Sequence, residues 1–424
     1  MPPDLSPTKL GSAAAWRVWI IAVVFVAYQF SIQTGYAIVN GVVQADINLN
    51  VTQIGTIAAT YTWVFALCQF YSGALLDRLG ARIITPASIA LVTLGAFTYS
   101  RANSFEMLLL AQTILAIGSC SAFVGAGYLG GQWFGMAKFS FMFGLVQLFS
   151  SLISAISQNT INYLLETLQW RELFSYAGFF GVALFALAVT FIRNPQPIPK
   201  QAQTGVLKFF SSVTTGLFDV AKIGHVWLAS LVGAALFGTL LASGVVWAPK
   251  LLVVRGASEA TAVIGSSMLW LGLAVGSAIL PWWSDRIQRR KPPIVLCTLI
   301  QLTALVVIIY LPPLGSTIDL SLCFIFGVTN AAHMLCFSSA ADVVKPNQIG
   351  TSASIVNGMI FITGGIMMAR PGIRIDRAIE MGAAKVPLDI AQYAALPFVV
   401  VLASALVLAL AMKETYPVKQ AASE

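Results

Sequence analysis

The stretch Ser72–Arg82, SGALLDRLGAR, places an aspartate and two arginines within six positions, directly after a charge-free hydrophobic run. A related stretch, Leu280–Arg290, LPWWSDRIQRR, returns later, so that Asp77-Arg78 is echoed by Asp285-Arg286, 208 residues further on. Each pair closes a hydrophobic run, and the spacing is about half of the 424 residues. A repeat of this size reads as a duplicated half-molecule.

Composition says what surrounds the repeat. Hydrophobic residues make up 58% of the chain and charged residues 9%, against about 25% charged in soluble domains. A soluble fold of this length has too little interior to hide that much apolar surface, so the excess faces lipid. Twelve charge-free runs are long enough to cross a bilayer: 18–40, 52–76, 83–100, 107–133, 139–164, 173–192, 226–249, 260–283, 294–311, 320–341, 348–369 and 390–412. The first is read as a span and not a removable signal, because its small residues, Ala13 to Ala15, precede it. The five cysteines, Cys68, Cys120, Cys297, Cys323 and Cys336, all lie in apolar stretches without metal-ligand spacing and read as small core residues.

Orientation follows from the cations. Of the 24 Lys and Arg, sixteen fall in one alternate set of loops and tails and eight in the other. The positive-inside rule makes the richer side cytoplasmic and puts both termini there. The basic balance is thus a topology signal, and no compact basic domain exists to bind nucleic acid. The expected fold is all-α and integral to the membrane, with 12 transmembrane helices in two pseudo-symmetric six-helix bundles. The divisions are a cytoplasmic tail 1–17, a bundle 18–193, a cytoplasmic linker 194–223, a bundle 224–413 and a tail 414–424. The proline-rich RNPQPIPKQAQTG, Arg193–Gly205, leads into the linker and stops the sixth helix.

GALLDRLGAR, with Gly73, Asp77, Arg78, Gly80 and Arg82 at these spacings, resembles the signature after the second helix of the major facilitator superfamily. GSAILPWWSDRIQRR is similar to its degenerate second copy, and KPNQIGTSASIVNGMIFITGG, from Lys345, to the start of that family's eleventh helix. The resemblance covers essentially the whole chain and implies a secondary transporter, not an enzyme. It also implies that Asp77 contacts a helix of the opposite half as a cytoplasmic latch, with Arg78, Arg82, Asp285 and Arg286 as further gating residues. Physics points the same way for Asp77. A carboxylate at a helix C-terminus opposes the helix dipole and calls for a cation or another helix N-terminus beside it.

The chain lacks a Walker loop, HExxH and GxSxG, and it has no segment able to form a nucleotide domain. Two departures from the family disfavour a proton-driven drug exporter. Gln112 stands where many proton-coupled members place an arginine, and the fifth run has no proline. No Asp, Glu, Lys or Arg lies inside a run, and His333 is the one histidine there. Such groups are functional candidates, and three roles are open to it: proton site, substrate ligand or structural hydrogen bond.

The candidate substrate surface is a set of polar stripes. Gln29, Gln33, Tyr36 and Asn40 recur at helical spacing in the first run, and Gln147, Ser151, Ser154 and Gln158 in the fifth. Asn330, His333 and Phe337 lie in the tenth run and Asn357 in the eleventh, with Trp63, Trp247 and Trp270 as aromatic candidates. Polar groups avoid hydrocarbon, so the stripes face inward, either to a solute or to one another. A neutral, amide-rich surface suits a zwitterionic or neutral solute. The expected function is uptake of an amino acid or similar nutrient by alternating access at a bacterial inner membrane. Transport of a siderophore or drug-like metabolite is the alternative, and a non-transporting receptor a third class. The expected partners are a small-molecule substrate, the lipid bilayer and a coupling proton or other ion. No cofactor or nucleic acid is expected, and the protein is expected to be a monomer. Arg370, just past the eleventh run, is the cation to re-examine should the substrate be a dicarboxylate.

Overall fold

A computed structural model describes residues 10–195, 206–380 and 387–417. Lys9, Lys200, Lys385 and Lys419, counted above for orientation, lie outside them. The described residues form α-helices joined by short turns, with no β-strand among them.

In the first half the helices are α1 Ala13–Ile47, α2 Val51–Leu79, α3 Ala81–Ser100, α4 Phe105–Ser119, α5 Ala122–Phe134, α6 Phe139–Leu164 and α7 Trp170–Phe191. After the proline-rich stretch comes α8 Val206–Ala221. In the second half they are α9 Gly224–Ala242, α10 Ala248–Val254, α11 Glu259–Ile287, α12 Lys291–Tyr310, α13 Ser316–Asn330, α14 His333–Ala341, α15 Ile349–Glu380 and α16 Pro387–Ala411.

Local sequence sets the boundaries. Ser12, Ser104 and Ser258 accept N-terminal backbone N–H groups of α1, α4 and α11, and Asn50 with Gln53 forms a reciprocal cap on α2. Gly80, at φ 77°, ends α2 and turns the chain into α3. A side chain there would be strained, because positive φ drives Cβ against the backbone.

Among the described residues, eleven helical segments are long and apolar enough to cross a membrane. α2, the expected second span, is 29 residues long but is not among the eleven. Its threonines and glutamines, such as Thr56, Thr60, Gln53 and Gln69, make it more polar than its neighbours.

Two expected spans are interrupted. The 107–133 run is divided into α4 and α5, and the 320–341 run into α13 and α14. At the second break the amides tighten. Ala331 N bonds Val328 O, Ala332 N bonds Thr329 O, and Met334 N bonds Ala331 O. That pattern has the i→i+3 spacing of a 3₁₀ turn, and it diverts Met334 N from the Asn330 carbonyl. Between α9 and α10 the winding loosens into a π-helical turn, Ser243–Trp247.

The chain divides into two compact units. One is Met1–Val220 with Lys345–Ser354, and the other is Ala221–Val344 with Ile355–Glu424. The sequence division kept 345–354 wholly in the second bundle. The structure instead groups this segment, which includes the first residues of α15, with the first unit.

Candidate substrate site and latch

The Asp77 contact lies inside the first unit. Gly350 N donates to Asp77 Oδ1 at 2.9 Å, Thr351 N to Oδ2 at 2.7 Å and Thr351 Oγ1 to Oδ2 at 2.7 Å. These donors are the first residues of α15, so the carboxylate leaves the unfavourable end of α2 for the favourable end of another helix. Gly73 makes the approach possible: a Cβ there would come within 1.8 Å of the Gly350 carbonyl oxygen. Ser354 Oγ donates to Phe70 O at 3.1 Å, one turn further along. Burial pushes the Asp77 carboxyl up to about 7, against the opposing pull of Thr351, Gly350 and Arg78.

The neighbouring arginines act differently. Arg78 reaches α8, with Nη1 donating to Ser212 Oγ at 2.6 Å and Nη2 to the Ser212 carbonyl. Arg82 is exposed, and its backbone N–H donates to Asn194 Oδ1 at 3.1 Å. Both arginines therefore tie the end of α2 and the start of α3 to the segment that follows α7.

The second copy is built on a residue the sequence reading passed over. Asp285 is met by Arg290, whose Nη1 donates to its Oδ1 at 2.6 Å. Arg290 is 1% exposed; its Nε also reaches Asp342 Oδ2 at 3.4 Å, and its backbone N–H donates to Glu414 Oε1 at 2.7 Å. Arg286 is exposed and lies over the Trp282 ring. The missed signal is spacing: Arg290 stands five residues after Asp285, as Arg82 stands five after Asp77. Burial raises the Asp342 carboxyl to about 6 despite Arg290.

Of the first-unit stripe, Gln29 is buried and its Oε1 accepts from Tyr61 OH at 3.3 Å. Tyr36 OH donates to Ile54 O at 3.0 Å. Gln33 Oε1 is buried with no hydrogen-bond partner among the described residues. Asn40 is half-buried and Trp63 exposed. Gln147 Nε2 donates to Ser151 Oγ at 2.9 Å, so that stripe satisfies part of its own demand. The side chains of Ser154 and Gln158 lie outside the described residues. Tyr61 and Gln69 were missed: Tyr61 sits among the threonines of α2 with nothing to mark it out, and Gln69 leaves its Oε1 buried and unpartnered among the described residues.

In the second unit the polar groups gather around the carbonyl of Leu236. Asn330 Nδ2 donates to it, as does Gln301 Nε2 at 3.1 Å. His333 takes the Asn330 carbonyl that the break before α14 leaves open, with Nδ1 at 2.8 Å. A carbonyl can only accept, so Nδ1 carries a hydrogen and Nε2 is the atom left for another partner. The ring is 1% exposed and packs on Phe237 and Phe337. Asn330 Oδ1, Gln301 Oε1 and Asn357 Nδ2 are buried without partners among the described residues. Gln301 is the residue sequence reading missed, a single amide in an otherwise apolar run. Trp270 is half-buried where Gly244, in the π turn, leaves it room: a Cβ there would come within 2.9 Å of Trp270 Nε1. Trp247 Nε1 donates to Met368 O at 3.0 Å.

Long apolar helices carrying buried, uncharged polar clusters define a multi-pass membrane protein. The Major Facilitator Superfamily profile matches residues 19–368, and the chain belongs to that superfamily. It is 22% identical to a hexuronate transporter of Bacillus subtilis (strain 168), over 79% of this chain and 82% of the relative. It is 24% identical to a probable galactarate/D-glucarate transporter of the same organism, over 46% of this chain and 45% of the relative. In three dimensions it is similar to the human organic anion transporter MFSD10 (TETRAN), with a TM-score of 0.71 and 14% identity over 93% of this chain and 99% of the other. That likeness concerns the fold.

Proposed function

We propose that the protein is a secondary transporter that imports a small, polyhydroxylated monocarboxylate by alternating access. The observation that carries this reading is the character of the polar clusters. They are rich in amides, free of charge and left with unsatisfied buried atoms: Gln33 Oε1 and Gln69 Oε1 in one unit, Asn330 Oδ1, Gln301 Oε1 and Asn357 Nδ2 in the other. Buried polar atoms without partners cost about 1–3 kcal/mol each. A solute rich in hydroxyl groups relieves that cost, because each hydroxyl both donates and accepts. One carboxylate can be met by amide N–H groups. Two carboxylates without a cation carry a desolvation cost of several kcal/mol per ion.

The relatives shift the reading from the amino acid expected above towards sugar acids, since a hexuronate transporter is aligned with this chain over 82% of its own length and a probable galactarate/D-glucarate transporter of Escherichia coli (strain K12) over 71%. An amino acid remains the second reading, because a zwitterion also needs no protein cation. Both readings place twelve spans in a bacterial inner membrane with both termini in the cytoplasm. Asp77 acts as the latch: inward opening requires Lys345–Ser354 to leave the end of α2. A coupling proton, if used, engages His333.

The test is thermal shift of the purified protein against hexuronates, aldarates and amino acids, followed by uptake into proteoliposomes. A ligand at about 100 times its Kd stabilises the folded state by roughly 2.7 kcal/mol. Hexuronate binding that disappears in Gln33→Ala, with uptake to match, supports the reading. Stabilisation by aldarates alone overturns it, and stabilisation by amino acids alone establishes the second reading.

A further inference from the structure

The C-terminal end of α15 carries Arg370, Arg374 and Arg377, at i, i+4 and i+7, on one side of the helix. They belong to the loops expected to be poor in cations, where they form three of the eight basic residues. The structure sets them along a groove of about 310 Å3 between α15 and α16, whose other walls include Leu396, Pro397 and Val400. Among the described residues no acidic side chain lines it.

One arginine is fixed by the backbone chemistry of the opposite wall. Pro397 sits inside α16 and has no N–H, so the carbonyl four residues earlier, Tyr393 O, lacks its helical donor. Arg374 Nε supplies that bond at 2.9 Å, and its guanidinium stacks on the Tyr393 ring at 3.8 Å from the centroid. The Nε atom and one face of the plane are thereby committed, which leaves the two Nη groups to present donors to an anion. Leu396 and Val400 are 39% and 53% exposed beside this charge, on a helix long and apolar enough to span the membrane.

We propose that this groove binds one anionic glycerophospholipid. Its phosphate sits on Arg374, between Arg370 one turn before and Arg377 one turn after, and an acyl chain lies along Leu396, Pro397 and Val400. The pairing of a fixed guanidinium with an exposed apolar wall at membrane depth favours a lipid over a soluble anion, which would leave that wall uncovered. Basic pockets between transmembrane helices are suited to such headgroups.

The test is native mass spectrometry of the full-length protein in detergent, titrated with phosphatidylglycerol or phosphatidylcholine of the same chain length. One phosphatidylglycerol is expected to be retained in preference to phosphatidylcholine, with each Arg→Gln change weakening it about fivefold. Arg374→Lys keeps the charge but loses the fork and the stacking, and should lose most of what Arg374→Gln loses. Lys250→Gln, which changes a cation outside the groove, should leave retention unchanged. If Arg374→Gln does not fold, Arg370→Gln/Arg377→Gln serves, because it leaves the Arg374–Tyr393 bond in place. Equal retention of the two lipids overturns the proposal. So does retention of phosphatidylglycerol by the arginine variants at the wild-type level, or its displacement by inorganic phosphate or galacturonate.

Discussion

Asp77 joins sequence to mechanism through three hydrogen bonds, and its chemistry sets the first two predictions. Charge-assisted bonds contribute about 1.5–3 kcal/mol. Asp77→Asn and Thr351→Val are therefore expected to slow uptake at least about tenfold while leaving membrane insertion intact; normal flux in both variants removes the latch. The pH dependence follows from burial. The carboxyl titrates at about 7 in its contact, against about 3.9 in solution. A raised value means that burial of this carboxyl costs no ionisation energy below about pH 4, where it is protonated folded or unfolded, and that stability is lost as pH rises through about 7 because burial penalises the ionised form. Arg78 pulls the other way, and the Tyr128 hydroxyl faces the same charge. Melting curves between about pH 5 and pH 8 should show the wild type losing stability relative to Asp77→Asn as pH rises; parallel curves would count against it. For His333, the Nδ1 bond predicts that His333→Gln keeps the fold better than His333→Leu, since only an amide can still meet the Asn330 carbonyl. Equal melting temperatures would show that the bond is dispensable. Asp77 was legible because motif and helix-end physics coincide there. Arg290 was legible only through the five-residue spacing of the repeat. Tyr61, Gln69 and Gln301 were not, because a polar side chain within a hydrophobic run does not reveal its partner.

Hydrophobic runs located most of the helices but not their irregularities. The divisions before α5 and α14 leave no charge or proline in the sequence at the point of rupture, whereas the π turn before α10 is followed at once by Pro249, which has no N–H to give the Val245 carbonyl. The divisions arise where tertiary partners compete for backbone groups, as His333 does for the Asn330 carbonyl. The packing of α2 on the start of α15 was visible only as a glycine in a motif. Gly73→Ala tests it. With 1.8 Å to the Gly350 oxygen there is no room for a methyl group, and overpacking of this kind costs about 1–3 kcal/mol. Lower thermal stability together with slower uptake is expected. An unchanged melting temperature would mean that the two helices part without cost.

The expected arrangement of the whole molecule, twelve spans with both termini in the cytoplasm, rests on charge asymmetry and on α2 crossing the bilayer. Single cysteines placed at Arg82 and Arg289, in a background without native cysteines, should be closed to membrane-impermeant maleimides in intact cells. A cysteine at Lys250 should react. Labelling of all three would break the orientation. The composition established the membrane class outright, whereas the division into units was less legible. Chain order assigns Lys345–Ser354 to the second half, but its contacts lie with the first. Only the path of the chain in space reveals that.

The Asp77 contact also has a consequence for biogenesis. Its partners lie 273 and 274 residues downstream. At about 5–20 residues per second of synthesis, Asp77 waits roughly 14–55 s at the end of α2 before Gly350 and Thr351 emerge. Throughout that interval the first unit is incomplete, exposing a carboxylate and the glycine face around Gly73. A ribosome-bound chain is therefore expected to be more open to proteolysis until the eleventh run is made. Chains truncated at residue 344 should be degraded faster than chains truncated at residue 380, although both lack the last helix.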